Sequence, residues 1–316
     1  MAKKKDELSA SGYIPAIHVI GENLPEAWEK TTIGVWENGV DVRTEYDQRD
    51  KDTNEFLFPP SKDATVMVEV KNPFAEPRIH KNFPGGPEEL EVYRQEVLDG
   101  IHDHWVDPTD PDKWTYTYHQ RIFAYQPTTN VDDPKAILKE ARNGDIIDVT
   151  PVNQLENVIN GLSRSHYSRR VQAITWMPTA DNKTPDPPCL QRLWFRILVD
   201  PQGVHWLNMN SHWRSRDEYK AWFMNAFALT DLQRIVAEGI SKQTGEEIRV
   251  GRYVDISDSL HIYGSYFKDV EKEVAKMKAN PDYRTRAWNS NDEAIQFMFE
   301  DTRRRLREDP DYMKSK

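Results

Sequence analysis

Apolar residues along this chain alternate between the two-residue period of a strand and the three-to-four-residue period of a helix. Residues 13–39 read as a short apolar strand, a turn, and a helix with Leu24, Ala27, Trp28, Thr31 and Val35 on one face. Residues 42–55 are polar and loop-like, and residues 64–70 alternate as a strand that Asn72-Pro73 should end. A proline-rich connection with Gly85-Gly86 leads to a helix over 89–100, with Leu90, Tyr93 and Val97 on one face and Gly100 as its stop signal. Residues 102–114 read as loop and 116–125 as extended chain.

The second half is more regular. Residues 152–165 form an amphipathic helical pattern, 169–178 a strand, and 179–188 a polar, proline-rich loop that delivers Cys189. Strands over 193–200 and 204–210 flank Pro201-Gln202-Gly203 as a strand-turn-strand unit. Ser215-Arg216-Asp217-Glu218 has the form of a capping box, so the spacing predicts a helix from about 216. Its apolar stripe is Tyr219, Trp222, Phe223, Ala226, Phe227, Leu232, Ile235 and Val236. Residues 252–266 return as strand, and the chain after about 268 reads as a charged helical tail.

At 316 residues this is one large domain, or one plus an appendage. Only 38% of residues are apolar and 30% are charged, yet 10 Trp, 13 Tyr and 11 Phe are too many for wholesale disorder. No run approaches the roughly 20 apolar residues of a membrane span. The first residues lack the apolar core of a secretory signal, so a cytoplasmic location without a membrane partner is expected. A single cysteine makes no internal disulfide, and the absence of CxxC or HExxH spacing gives no expectation of a metal. A net charge of −10 opposes binding to polymeric nucleic acid while leaving room for a small anion on locally gathered arginines.

Four features carry candidate chemistry. Cys189 is either a small buried hydrophobe or a nucleophile, and arginines nearby would favour its thiolate. Ser168-Arg169-Arg170 and Arg214-Ser215 offer guanidinium groups and a helix start suited to phosphate, or are solvated arginines and a plain helix cap. Asn225 lies close to the apolar stripe of the long helix, where its carboxamide either pairs with backbone or matches the O4/N3–H edge of uracil. His261 and Tyr263 share one face of a strand, as core residues or as a polar pair aimed at a ligand.

Taken in order, Asn153-Gln154-Leu155, Ser168-Arg169-Arg170, Trp176-x-Pro178, Pro187-Pro188-Cys189, Arg214-Ser215-x-Asp217, Asn225 and His261-Ile262-Tyr263 resemble the thymidylate synthase and pyrimidine hydroxymethylase superfamily. The resemblance covers residues 150–267, with the general layout only over 13–125. It implies an α/β (α+β) fold with a large, mostly antiparallel sheet and flanking helices, dimerising through the sheet. The expected organisation is a disordered tail over 1–12, a catalytic domain over 13–267 and a charged helical extension over 268–316.

The implied reaction moves a one-carbon unit from 5,10-methylenetetrahydrofolate to C5 of a 2′-deoxypyrimidine monophosphate. By resemblance, Cys189 attacks C6. Arg214 and Ser215, joined by Arg169 and Arg170 from the second subunit of a homodimer and more loosely by Arg43, hold the 5′-phosphate. Asn225 reads the base, Asp217 binds the base or orders water, and His261 and Tyr263 bond the sugar. Glu96, or else Glu91, supplies the proton relay.

Departures from the synthase pattern favour hydroxymethylation of dUMP over methylation to dTMP. Leu190 stands where bacterial synthases have His, Trp213 where they have Gln, and Ser259 where they have Asp. His102 replaces an aromatic residue that helps exclude water, and the chain ends DYMKSK in place of a short apolar terminus. The other readings are thymidylate synthase, then dCMP hydroxymethylase, then a relative that binds nucleotide without catalysis.

Overall fold

The computed structural model describes residues 12–107, 110, 112–126 and 151–310. The tail expected over 1–12, Gly12 aside, and the terminal DYMKSK segment lie outside the described residues.

In chain order the elements are β1 (Ala16–Gly21), α1 (Leu24–Asn38), β2 (Val40–Val42), β3 (Ser61–Val70), β4 (Ile79–His80), α2 (Pro87–Asp99), α3 (Tyr118–Phe123), α4 (Gln154–Arg164) and β5 (Gln172–Ile174). Then come β6 (Leu190–Val199), β7 (His205–Trp213), β8 (Arg216–Asp217), a π-helical turn (Glu218–Trp222), α5 (Phe223–Thr244), β9 (Ile248–Ile262), α6 (Phe267–Ala279), β10 (Ala287–Trp288) and α7 (Glu293–Glu308).

Eight strands make one sheet in the order β1-β3-β9-β7-β6-β5, with β2 added to β3 and β8 to β9. Pairs β2–β3, β3–β9, β5–β6 and β6–β7 are antiparallel, and β1–β3, β7–β9 and β8–β9 are parallel. Strand β9 is central because it bonds to β3 on one side and to β7 and then β8 on the other. The long helix α5 covers the sheet with Phe223, Ala226, Phe227, Leu229, Leu232 and Val236 buried.

Three local readings of the sequence need correction. Residues 116–125 are not extended: Thr117 accepts from the Gln120 backbone N–H at 3.1 Å and starts α3. The strand expected over 169–178 is only Gln172–Ile174, since the chain then leaves the edge and Asp181 accepts from Met177 N at 2.6 Å. The helix expected near 216 begins later. Arg216-Asp217 first pairs with Leu260-His261 of β9, and Asp217, not Ser215, caps the turn by accepting from Tyr219 N and Lys220 N at 2.9 and 3.1 Å.

The charged C-terminal helices bury an apolar stripe. Helix α6 places Val270, Val274 and Met277 in the core, and α7 does the same with Ile295 and Phe299. Two buried ionic ties fix this region: Arg286 donates twice to Glu29 of α1 at 2.8 Å, and Arg303 of α7 donates to Glu91 of α2 at 3.0 Å. High charge on the outer faces hides this stripe in the sequence.

Phe299 is 2% exposed and Phe297, on the same helix, 69%. Phe299→Ala should therefore cost about 3–5 kcal/mol, while Phe297→Ala stays within about 0.5 kcal/mol. Urea unfolding of both variants checks this, and equal effects would show that α7 does not pack as described.

Candidate functional site

The hairpin of β6 and β7 brings the lone thiol to the strongest cation nearby. Leu190 lies opposite Trp213, so Cys189 and Arg214 continue the pairing, and Arg214 N donates to Cys189 O at 2.9 Å. The Arg214 guanidinium turns back along the approach loop and donates to Pro187 O at 2.6 Å and Pro188 O at 3.2 Å. The Pro188 carbonyl also accepts from Gln191 Nε2 at 3.0 Å, which ties the approach loop to the start of β6. Burial pushes the Cys189 thiol above its ordinary value; Asp186 adds to the rise, and the Arg214 and Arg216 guanidiniums oppose it.

A second group forms a row across three strands. Asp217 of β8 stands opposite His261 of β9, which stands opposite Asp63 of β3. Opposed residues share a face of the sheet, so the three side chains emerge together. Burial pushes both Asp63 and Asp217 up to about 6. His261 falls to about 4 by burial and so is neutral near pH 7; it bonds to the Ser259 backbone, and its Nε2 is buried without a partner among the described residues. A neutral imidazole nitrogen left bare in this way suits a hydroxyl group. Ser259 donates to Asp63 at 2.8 Å, so β3 supplies a carboxylate beside the position where the superfamily pattern has Asp.

Tyr263 joins the two groups: its electrostatic neighbours include Asp217, Cys189 and Tyr46. Arg43, Tyr46, Phe58, Tyr263 and Tyr266 line a cavity of about 380 Å³. Arg43 donates to the Phe58 carbonyl at 2.9 Å and pairs with Asp47 at 3.2 Å. Ser215 lies half-buried between Arg214 and β8.

Asn225, on α5, donates from Nδ2 to the hydroxyl of Tyr93 on α2 at 2.6 Å. Among the described residues, its Oδ1 and second N–H remain for another partner. The two candidate glutamates of α2, Glu91 and Glu96, have different surroundings. Glu91 is fully buried and consumed by Arg94, Gln95 and Arg303, a structural role that removes it from the site. Glu96 accepts from His102 at 3.1 Å and is an electrostatic neighbour of Tyr93. His102 stacks on Trp105 at 3.8 Å, and Trp114 meets Trp105 edge-on at 5.1 Å, which makes an aromatic wall with both indoles partly exposed.

Arg169 and Arg170 stay apart from this assembly. They are exposed and line a different cavity with Asn157, Tyr167 and Ser168. Ile174 pairs with Arg192 and Gln172 with Trp194, so continuing the register sets Arg170 beside Arg196. That is roughly 20 Å along the strand from Cys189 at about 3.3 Å per residue.

The sequence reading missed Tyr46, Tyr93, Tyr116, Tyr118 and Asp63. Tyr118 accepts from Leu190 N at 3.2 Å and lies under the thiol, with Tyr116 at a ring distance of 5.6 Å. The pattern Thr117-x-x-Gln120 is a helix-start signal that would have placed both tyrosines at a helix N-terminus. Asp63 carried no signal, because its place beside Ser259 depends on long-range pairing.

The thymidylate synthase family model matches residues 90–305, most of the chain. The chain belongs to the thymidylate synthase family. Among its relatives are proteins described as "Putative thymidylate synthase" from Methanosarcina mazei, 28% identical over 80% of this chain and 92% of that protein, and from Methanothermobacter marburgensis, 26% identical over 83% and 99%. The thermostable thymidylate synthase A from Bacillus subtilis shares the fold, with a TM-score of 0.51 and 16% identity over 80% of this chain and 84% of its own. The mixed sheet with flanking helices is thus this family's fold, as the resemblance implied.

A structural carboxyl under the site provides a pH test. Glu218 is fully buried, accepts from Thr32 at 2.8 Å, and is pushed up to about 8 by burial. Its folded value is above the ordinary carboxyl value of 4.5, so the fold binds the extra proton, and the stability it lends is complete at low pH and declines as pH rises from about 4.5 through about 8. Glu218→Gln should flatten that part of the stability profile and leave the variant more stable than the parent at pH 9. An unchanged slope between pH 5 and 9 in urea titrations would contradict a protonated Glu218.

Proposed function

We propose that this family member transfers a one-carbon unit to C5 of a 2′-deoxypyrimidine 5′-monophosphate, and that its product is the 5-hydroxymethyl nucleotide of dUMP. The observation that carries the one-carbon chemistry is Cys189 paired through its backbone carbonyl to Arg214 N, with the Arg214 guanidinium clamped on the Pro187 and Pro188 carbonyls just before it and acting electrostatically on the thiol. Cys189 forms the bond to C6, which makes C5 nucleophilic. Arg214, Ser215 and Arg43 receive the 5′-phosphate, with Arg169 and Arg170 of a second copy completing it in a homodimer. Their distance from Cys189 within one chain supports that sharing. His261 accepts the sugar hydroxyl at Nε2, beside Tyr263, and Asp217 orders the polar edge of the base. Asn225, turned by Tyr93, presents Oδ1 and an N–H to N3–H and O4 of uracil.

Methylenetetrahydrofolate, when bound, supplies the carbon. The exposed faces of Trp105 and Trp114 beside His102 fit a flat heterocycle. Glu96 is the group that moves the C5 proton, with His102 bonded to it. That polar pair within the aromatic wall also favours water as the final nucleophile, since suppressing hydration requires a dry wall. The names of the archaeal relatives favour the second reading, hydride delivery to give dTMP.

Incubation with dUMP tritiated at C5 and methylenetetrahydrofolate should release tritium, and Cys189→Ala should abolish release while retaining nucleotide binding. The product mass decides between readings: gain of CH₂O means hydroxymethylation, and gain of CH₂ overturns it in favour of the synthase. Release from neither dUMP nor dCMP overturns the catalytic proposal. Mixing Cys189→Ala protein with Arg170→Ala protein should restore part of the activity after subunit exchange; none, with exchange demonstrated, contradicts a shared site.

A further inference from the structure

At the opposite end of β7 from Arg214, three potential metal ligands converge from separate segments. His166 lies in the turn after α4, His205 opens β7, and Glu246 follows the left-handed Gly245 that ends α5. The topology brings them together. Strand β7 starts beside the start of β9, with His205 opposite Ile248, and α4 packs along α5, where Gln243 donates to Asn160 at 2.9 Å. Gly239 permits that close approach, since a Cβ there would meet Ile159 at 2.7 Å.

The spacing of these groups is informative. His166 Nδ1 and His205 Nε2 lie 3.6 and 3.7 Å from the same oxygen, Oε2 of Glu246, and the three ligand atoms all lie within 4.8 Å of one another. These separations are too long for hydrogen bonds, which end near 3.2 Å. They are close to the roughly 3.4 Å that separates two ligand atoms around a tetrahedral zinc with bonds of about 2.0–2.1 Å. The imidazoles meet edge-to-face at 5.0 Å and 70°, so neither ring stacks on the other. The neighbouring Glu247 is taken by Arg249 at 2.8 Å, whereas the ion-pair partners of Glu246 among the described residues are these two histidines.

We propose that His166, His205 and Glu246 form a binding site for a divalent first-row transition metal of the zinc class. Two imidazoles and one carboxylate suit zinc or cobalt rather than magnesium or calcium, which prefer all-oxygen shells. A cavity of about 600 Å³ beside His166 and Glu246 leaves room for water in a fourth position, and exposed Arg164 lines its rim. The metal ties the turn preceding Arg169-Arg170 to the ends of β7 and α5. It stands apart from Cys189, so its presence does not depend on the reaction proposed above.

The test is titration of the untagged full chain with Zn²⁺ by calorimetry, and with Co²⁺ by visible absorption. One metal per chain with micromolar or tighter affinity is expected. Cobalt should show the visible bands of a four- or five-coordinate nitrogen and oxygen site without a thiolate charge-transfer band. Glu246→Gln and His205→Ala should each weaken binding at least about tenfold, with Cys189→Ala as a control that does not. Glu246 is exposed, so its variant tests the site even if His205→Ala misfolds. Absence of saturable binding, binding unchanged in Glu246→Gln, or binding lost in Cys189→Ala overturns the site.

Discussion

Everything at the candidate site depends on how β9 is shared. One side of this strand is paired to β3 along most of its length; the other is paired first to β7 and then to the two residues of β8. That division leaves a gap at Arg214-Ser215 where the chain crosses from one partner to the next. Cys189 and Arg214 lie where β7 stops, and Asp217 and His261 where β8 starts. Beneath the crossing, Arg216 pairs with Asp255 inside the sheet, stacks on Trp213 and is packed near Trp222. Removing one member of such a pair typically costs about 3–5 kcal/mol, so the crossing rests on a strong local constraint.

The electrostatics follow from this geometry. Burial raises the thiol and the carboxyls of Asp63, Asp217 and Glu218, and lowers His261. A site built in this way is weakly solvated before ligand arrives, with its cations on internal acceptors: Arg214 on proline carbonyls and Arg43 on Phe58 and Asp47. An anionic nucleotide can replace the neutral carbonyl acceptors of Pro187, Pro188 and Phe58 with a phosphate, which binds guanidinium more strongly. Near a chain with net charge −10, such local arginines are what make a small anion welcome.

Much of the central sheet was legible because its signals are local. Counting outward from Pro201-Gln202-Gly203 pairs the two flanking strands as far as Arg192 and His212; a register shift between Arg192 and Leu190, which the count does not show, then sets Cys189 beside Arg214 rather than Ser215. The periodic stripe of α5 predicted both its burial and the inward place of Asn225. Failures arose where one local signal masked another. Tyr116 and Tyr118 alternate like a strand, although Thr117 and Gln120 cap a helix. Ser215 and Glu218 have capping-box spacing, yet β9 captures Arg216-Asp217 first and Glu218 turns inward to Thr32. Contacts made only by topology left no trace: Asp63 with Ser259, Tyr93 with Asn225, and His166 with His205 and Glu246.

The central claim is that Cys189, held by Arg214, is a nucleophile toward C6 of a deoxyuridylate. A 5-fluoro analogue of dUMP tests it most directly, because fluorine cannot leave C5 as the proton does and the adduct therefore stalls after the one-carbon unit is attached. With methylenetetrahydrofolate present, intact-protein mass spectrometry should show one nucleotide-folate adduct per chain, mapped by peptide analysis to Cys189 and missing from Cys189→Ala. An unmodified chain after prolonged incubation, or an adduct on any other residue, would contradict the account.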